Sequence, residues 1–206
     1  MNPKEVIETI KRKAKAKFDE SLEIHLRLGI DPQKSDQQVR GSLILPYGTG
    51  KRIKIAVFTE KRKKEAEVAG ADVIGGKELI EEIQKTKKCN FEIAIAEPEI
   101  MTDLSKVAKI LGPKNLMPSA KNETVTSDIG KTIKELKGGK VNFKNDDTGN
   151  LHQAIGRISW PAEKLLKNFE AFLGAVKKAK PPKSKGIFIQ NIVLCSTMGK
   201  GIRVTL

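Results

Sequence analysis

Two histidines, two cysteines and one glycine-rich turn are the residues whose chemistry calls for reading first. GTGK at 48–51 has the look of a phosphate-binding loop. The pattern G-x-x-x-x-G-K-[ST] needs Gly at 45 and Ser or Thr at 52; the chain has Leu45 and Arg52, so it fails at both. His25 falls on the polar face of an alternating segment, the place of a cross-strand surface residue rather than a general base. His152 is followed by Gly156 and Arg157. Cys89 and Cys195 are far apart and no C-x-x-C occurs, which excludes a disulfide framework and a cysteine-rich zinc site. Cys195, inside a strand-like segment, is expected in the core. Asp146 and Asp147 sit in NDDTGN, where an Asp side chain caps its own turn. No catalytic set, no metal site and no cofactor is read from these residues.

Charge says more than any single motif. The 206 residues carry 39 Lys and Arg against 25 Asp and Glu, a net +14. Residues 1–52 hold 11 basic and 7 acidic side chains, residues 53–140 hold 17 and 14, and residues 141–206 hold 11 and 4. The two ends therefore carry +11 and the middle +3, an ordinary solvated surface. Lysines and arginines concentrated at the ends suit a polyanion, whose condensed counterions are released on binding. Aromatic residues make up 4% of the chain, too few for a base-stacking platform. Shape and backbone recognition of a folded RNA fits this composition better. No run of 18 apolar residues could span a membrane, and the opening residues lack the apolar core of a secretory signal. The basic residues do not share one amphipathic helix with an apolar face, so no membrane surface is expected as a partner. Cytoplasmic residence is expected.

These residues need elements to position them. Residues 4–16 read as a helix through Val6, Ile7, Ile10 and Ala14. ESLEIHLRL (20–28) alternates cleanly and reads as a half-buried strand, followed by a second strand in VRGSLILP (39–46). From residue 53, short apolar runs alternate with helical patterns: strand 53–58, helix 61–69, helix 76–87, strand 91–96, a helix opened by Pro98, and a helix after Asp128. Strands follow at 141–144 and 151–158. A helix begins at Ser159 and Pro161 with Leu165, Phe169, Phe172, Leu173 and Val176 on one face. The basic linker 177–186 leads to strands in 187–196 and 201–206, joined by a TMGK turn. The ends share one grammar and the middle another. The expected fold is two-domain and mixed: a discontinuous α+β domain from 1–52 plus 141–206, and an inserted three-layer, Rossmann-like α/β domain from 53–140 with parallel pairing.

Six segments carry a family resemblance: GIDPQKSDQQVRGSLILPYGTGK, AGADVIGG, KILGPKNLMPSAK, FKNDDTGNLHQAIGR, SWPAEKL and STMGKGIRV. In this order they resemble the bacterial form of the large-subunit ribosomal protein one family, over essentially the whole chain. The resemblance implies a structural ribosomal protein that is not an enzyme. It implies binding of the stalk region of 23S ribosomal RNA through the end-built domain and a part in releasing deacylated tRNA from the exit site. It further implies repression of translation of the protein's own mRNA, and a monomer when free. The alternatives are a nucleotide-dependent enzyme seated in the α/β middle and a nonspecific basic nucleic-acid chaperone.

The family's motifs fall on Lys17, Phe18, Asp19 and Glu20, on His152, Gly156 and Arg157, and on Thr197, Met198 and Gly199. Arg157 stands where the family usually shows Lys, which keeps the charge and changes the donor geometry. Asn191 stands where it often shows Ser. These residues are expected to bind RNA. Short polar groups and backbone N–H would meet ribose hydroxyls and phosphates, Gly199 would allow close backbone approach, and Phe18 and Met198 would give apolar contact. Many members carry a basic segment before the first helix; this sequence opens on that helix, and contacts from such a segment are expected to be missing.

Overall fold

A computed structural model describes residues 2–114, 116–120, 123–182, 184 and 186–205. Parts of the KILGPKNLMPSAK segment, of the 177–186 linker and of the 201–206 strand lie outside these residues. The protein is a mixed α/β fold. Its strands are β1 Ser21–Leu28, β2 Arg40–Ile44, β3 Ile55–Phe58, β4 Val73–Gly75, β5 Ile93–Ala96, β6 Lys140–Lys144, β7 Asn150–Arg157, β8 Ile189–Ser196 and β9 Ile202–Arg203. Its α-helices are α1 Pro3–Lys13, α2 Lys63–Ala69, α3 Lys77–Thr86, α4 Met101–Leu104, α5 Ala108–Leu111, α6 Ile129–Lys137 and α7 Ala162–Lys178. The chain separates into two compact units, Met1–Lys51 with Gly138–Leu206, and Arg52–Lys137.

The first unit is built on β1. Its alternation puts Leu22, Ile24, Leu26 and Leu28 in the core, and Glu23, His25 and Arg27 on the opposite face. β7 and β8 pair with it antiparallel on either side, giving the order β7-β1-β8-β9. β2 and β6 form a separate antiparallel pair. α1 and α7 cover the apolar face: Val6, Ile7 and Ile10 join Leu165, Phe169, Phe172 and Val176 in one cluster with the strand leucines. Asn168, fully buried in α7, donates to Gly48 O and Ile155 O and accepts from Tyr47 N, so its polarity is satisfied while it ties a turn and a strand to the helix. α1 stops at Lys13, three residues short of the sequence expectation. Ala14 turns extended, and the Ala16 N–H takes the Glu20 carboxylate as its acceptor in place of a helical carbonyl.

The second unit has β3 between β4 and β5, all parallel, with Val125 bridging Ala96 beyond β5. Both faces are covered. Ile55, Val57 and Ile95 pack against Ala66 of α2 and Ile129, Ile133 and Leu136 of α6. Ala56, Phe58, Ala94 and Ala96 pack against Ile80 and Ile83 of α3 and Ile100, Leu104, Val107 and Leu111. That is why all four residues of β3 are buried. The segment opened by Pro98 alternates 3-10 and α turns through α4 and α5 rather than forming one helix.

Candidate nucleic-acid interface

Three distant stretches meet at one end of the four-stranded sheet: 14–20, which leads into β1; 157–160, which leaves β7; and 196–201, which joins β8 to β9. The contacts that fasten them are polar. Glu20 is 2% exposed and accepts hydrogen bonds from Met198 N at 3.0 Å and Ala16 N at 3.4 Å. The Met198 N–H and the Ser196 hydroxyl hold its carboxyl below the ordinary range, against the opposing effect of burial. Thr197 Oγ1 accepts from Ser21 N at 3.0 Å, and Thr197 N donates to Ser21 O at 3.2 Å. Asp19 accepts from Ser159 N and from the Ser159 hydroxyl, at 3.1 and 2.9 Å. Arg157 donates to Asp19 O at 3.0 Å and to Ser21 Oγ at 3.2 Å.

A groove of about 580 Å³ opens between the end of α1 and the 196–202 turn. Ile10, Phe18, Met198 and Ile202 contribute apolar surface to it, and Lys13, Lys15, Lys17 and Lys200 line it too. Phe18 is 55% and Met198 75% exposed. Two large apolar side chains held in water among four lysines suit a ligand that brings apolar faces and negative charge together.

The sequence-predicted residues divide. Lys17, Phe18, Thr197, Met198 and Gly199 are exposed at this end of the sheet, and Arg157 is half-exposed beside them. Three of them are set differently from the rest. Glu20, only 2% exposed, lines the groove, and its oxygens accept from Met198 N and Ala16 N, so it positions Met198. Gly156 is buried under α7: a Cβ there would come within 2.5 Å of Leu165 Cδ2, so its smallness serves helix packing. Asn191 pairs with Arg27 toward the other end of β8, about 17 Å of strand from Ser196. His152 is exposed partway along the outward sheet face, opposite His25, its Nδ1 2.7 Å from His25 Nδ1. Cys195, expected in the core, is half-buried on that same outward face, opposite Glu23. Burial, with the His152 ring beside it, lowers the His25 pKa, while Glu23 pulls it the other way. Lys13, Lys15 and Lys200 were missed. Their signal was present in the basic run after the first helix and in the TMGK turn, but nothing in one dimension brings the two together.

The groove and the polar clamp are what a recognition surface requires. The chain matches the model of the Ribosomal protein L1p/L10e family over residues 10–200. It is 49% identical over 201 residues to the large ribosomal subunit protein uL1 of Kosmotoga olearia, covering 97% of this chain and 87% of that one. It is 47% identical over 202 residues to the protein of the same name from Mesoplasma florum, covering 98% and 89%. The chain therefore belongs to the ribosomal protein L1p/L10e family. It is a structural ribosomal protein of the cytoplasmic ribosome, not an enzyme.

Proposed function

We propose that this chain associates with the large ribosomal subunit by binding the folded stalk region of its 23S ribosomal RNA through the groove end of the first unit. The convergence of Phe18 and Met198 on one groove lined by Lys13, Lys15, Lys17 and Lys200 carries this reading. Lysines neutralise phosphates, while the exposed ring and thioether cover sugar or base faces and exclude water. Glu20, Thr197, Asp19 and Ser159 hold the three stretches in register, so the surface is shaped before RNA arrives and little ordering entropy opposes binding. His152 on the outward sheet face and Arg157 beside Ser21 extend the surface along the strands. Gly156 contributes through the packing of α7, and Asn191 marks the far limit of the face.

In this reading the RNA-binding domain is the discontinuous one, 1–52 plus 141–206, and 53–140 is an inserted Rossmann-like domain. From that seat the protein takes part in release of deacylated tRNA from the exit site. It represses translation of its own mRNA by binding a similar RNA fold there, and is a monomer when free. Among the described residues no helix is long and apolar enough to cross a membrane.

Filter binding of the ribosomal RNA stalk fragment against a scrambled fragment and a duplex DNA, at matched salt, tests the proposal. Selective retention of the stalk fragment is expected. Equal affinity for all three would instead describe a nonspecific basic chaperone.

A further inference from the structure

Apart from the groove, the outward face of the first unit's main sheet carries a cluster of metal-ligating side chains. Glu23 and His25 are two apart on β1 and so share a face; Cys195 of β8 stands opposite Glu23, and His152 of β7 stands opposite His25. One donor atom each from Glu23, His25 and Cys195 lie within 4.8 Å of one another, and all three residues are half-buried. His25 Nε2 is 3.0 Å from Cys195 Sγ and 3.8 Å from Glu23 Oε2.

From this geometry we infer a Zn2+ site formed by His25 Nε2, Cys195 Sγ and a Glu23 carboxylate oxygen, with water as the fourth ligand. Tetrahedral zinc with Zn–N near 2.0 Å, Zn–S near 2.3 Å and Zn–O near 2.1 Å sets ligand separations of roughly 3.3–3.6 Å. The His25–Cys195 pair needs to open, and the His25–Glu23 pair to close, by about half an ångström, within the reach of side-chain rotation. Donor chemistry also fits: thiolate, imidazole and carboxylate are zinc's usual set, and a lone carboxylate with one sulfur is a poor seat for Mg2+ or Ca2+. The remaining polar atoms are arranged as such a site requires. With Nε2 on the metal, His25 carries its proton on Nδ1 and donates to His152 Nδ1 at 2.7 Å; His152 then turns its Nε2–H toward Asp146 Oδ2, 3.5 Å away. Asp146 is itself held by Thr148 and Asn150. This His25–His152–Asp146 chain fixes the ring and tautomer of the ligand.

On binding, the Cys195 S–H bond breaks, the proton passes to solvent and the sulfur lone pair forms the metal bond. The charge of the bound dication stabilises the thiolate. The inference stands apart from the RNA reading, since its test uses no RNA.

The experiment is titration of the reduced, chelator-treated full chain with Co2+ as a spectroscopic stand-in, followed by displacement with Zn2+. One equivalent of Co2+ is expected to give a thiolate charge-transfer band with the intense visible bands of four-coordinate cobalt, both abolished by Zn2+. Cys195→Ser is expected to remove the charge-transfer band, and His25→Gln to remove four-coordinate binding. His152→Gln, which touches no metal, should weaken Zn2+ binding about 10–100-fold while leaving the band shape unchanged. Cys89→Ser should change nothing. Absence of the band in the unaltered chain overturns the inference, as does its survival in Cys195→Ser or its loss in Cys89→Ser; the last comparison decides the matter even if Cys195→Ser does not fold.

Discussion

Glu20 shows how a nearly buried residue can govern the surface around it. Its carboxylate receives the Met198 N–H, and that bond sets where the exposed thioether stands. Because its pKa is lower in the folded chain than in the unfolded one, the folded state binds fewer protons in the interval between them. The stabilisation is complete above the unfolded value of about 4.3 and is lost as pH falls through the folded value. Glu20→Gln should therefore melt below the parent chain at pH 7, and the difference should shrink as pH falls below about 4 in parallel thermal scans. Met198→Ala removes only the exposed side chain. It should weaken binding of the stalk fragment by about 1–2 kcal/mol, roughly five- to thirtyfold. Its stability should stay within about 0.5 kcal/mol of the parent. Unchanged affinity would argue against the groove as the interface. Thr197→Val is a less clean probe, because the Thr197 hydroxyl accepts the Ser21 N–H and its loss disturbs the clamp itself.

At the scale of elements, strands and helices that bury a patterned face were legible in the sequence. The 20–28 alternation became β1, and Leu165, Phe169, Phe172, Leu173 and Val176 became the buried stripe of α7. What escaped was short or competed for. β4 is three residues long, too brief for any period to be read. The end of α1 was decided by an acceptor on Glu20, and a periodicity reading does not see that acceptor. Gly156 carries the same lesson in the site: beside His152 and Arg157 it reads as a contact residue, yet the space above it belongs to Leu165 and Trp160. Gly156→Ala should cost about 1–3 kcal/mol through overpacking of α7 on β7, measured by denaturant unfolding. A neutral or stabilising result would mean that α7 moves aside freely.

At the scale of the molecule, the two compact units divide the charge unevenly, and the proposal assigns RNA binding to one of them. A chain joining Lys51 to Gly138 through a short linker tests this. The junction keeps Gly139, whose carbonyl accepts the Leu45 N–H and whose α-carbon approaches Gly48 so closely that a Cβ would lie 2.3 Å from Gly48 Cα. Both glycines have positive φ, so this close backbone approach admits no side chain. If the shortened chain folds, it should retain stalk-fragment affinity within about tenfold and a similar dependence on salt. A folded but non-binding product would assign recognition to residues 52–137.

Composition and period, which are local properties of a chain, were enough by themselves to determine a basic mixed α/β protein, the buried faces of α1, β1 and α7, and the ends as carriers of charge. Only tertiary structure decided which residues share a surface. Lys15 and Met198 are 183 positions apart and line one groove; Glu23 and Cys195 are 172 apart and stand opposite each other across two strands. Strand pairing sets those distances through main-chain hydrogen bonds that any side chain allows, so the register that creates both sites leaves no mark in residue type.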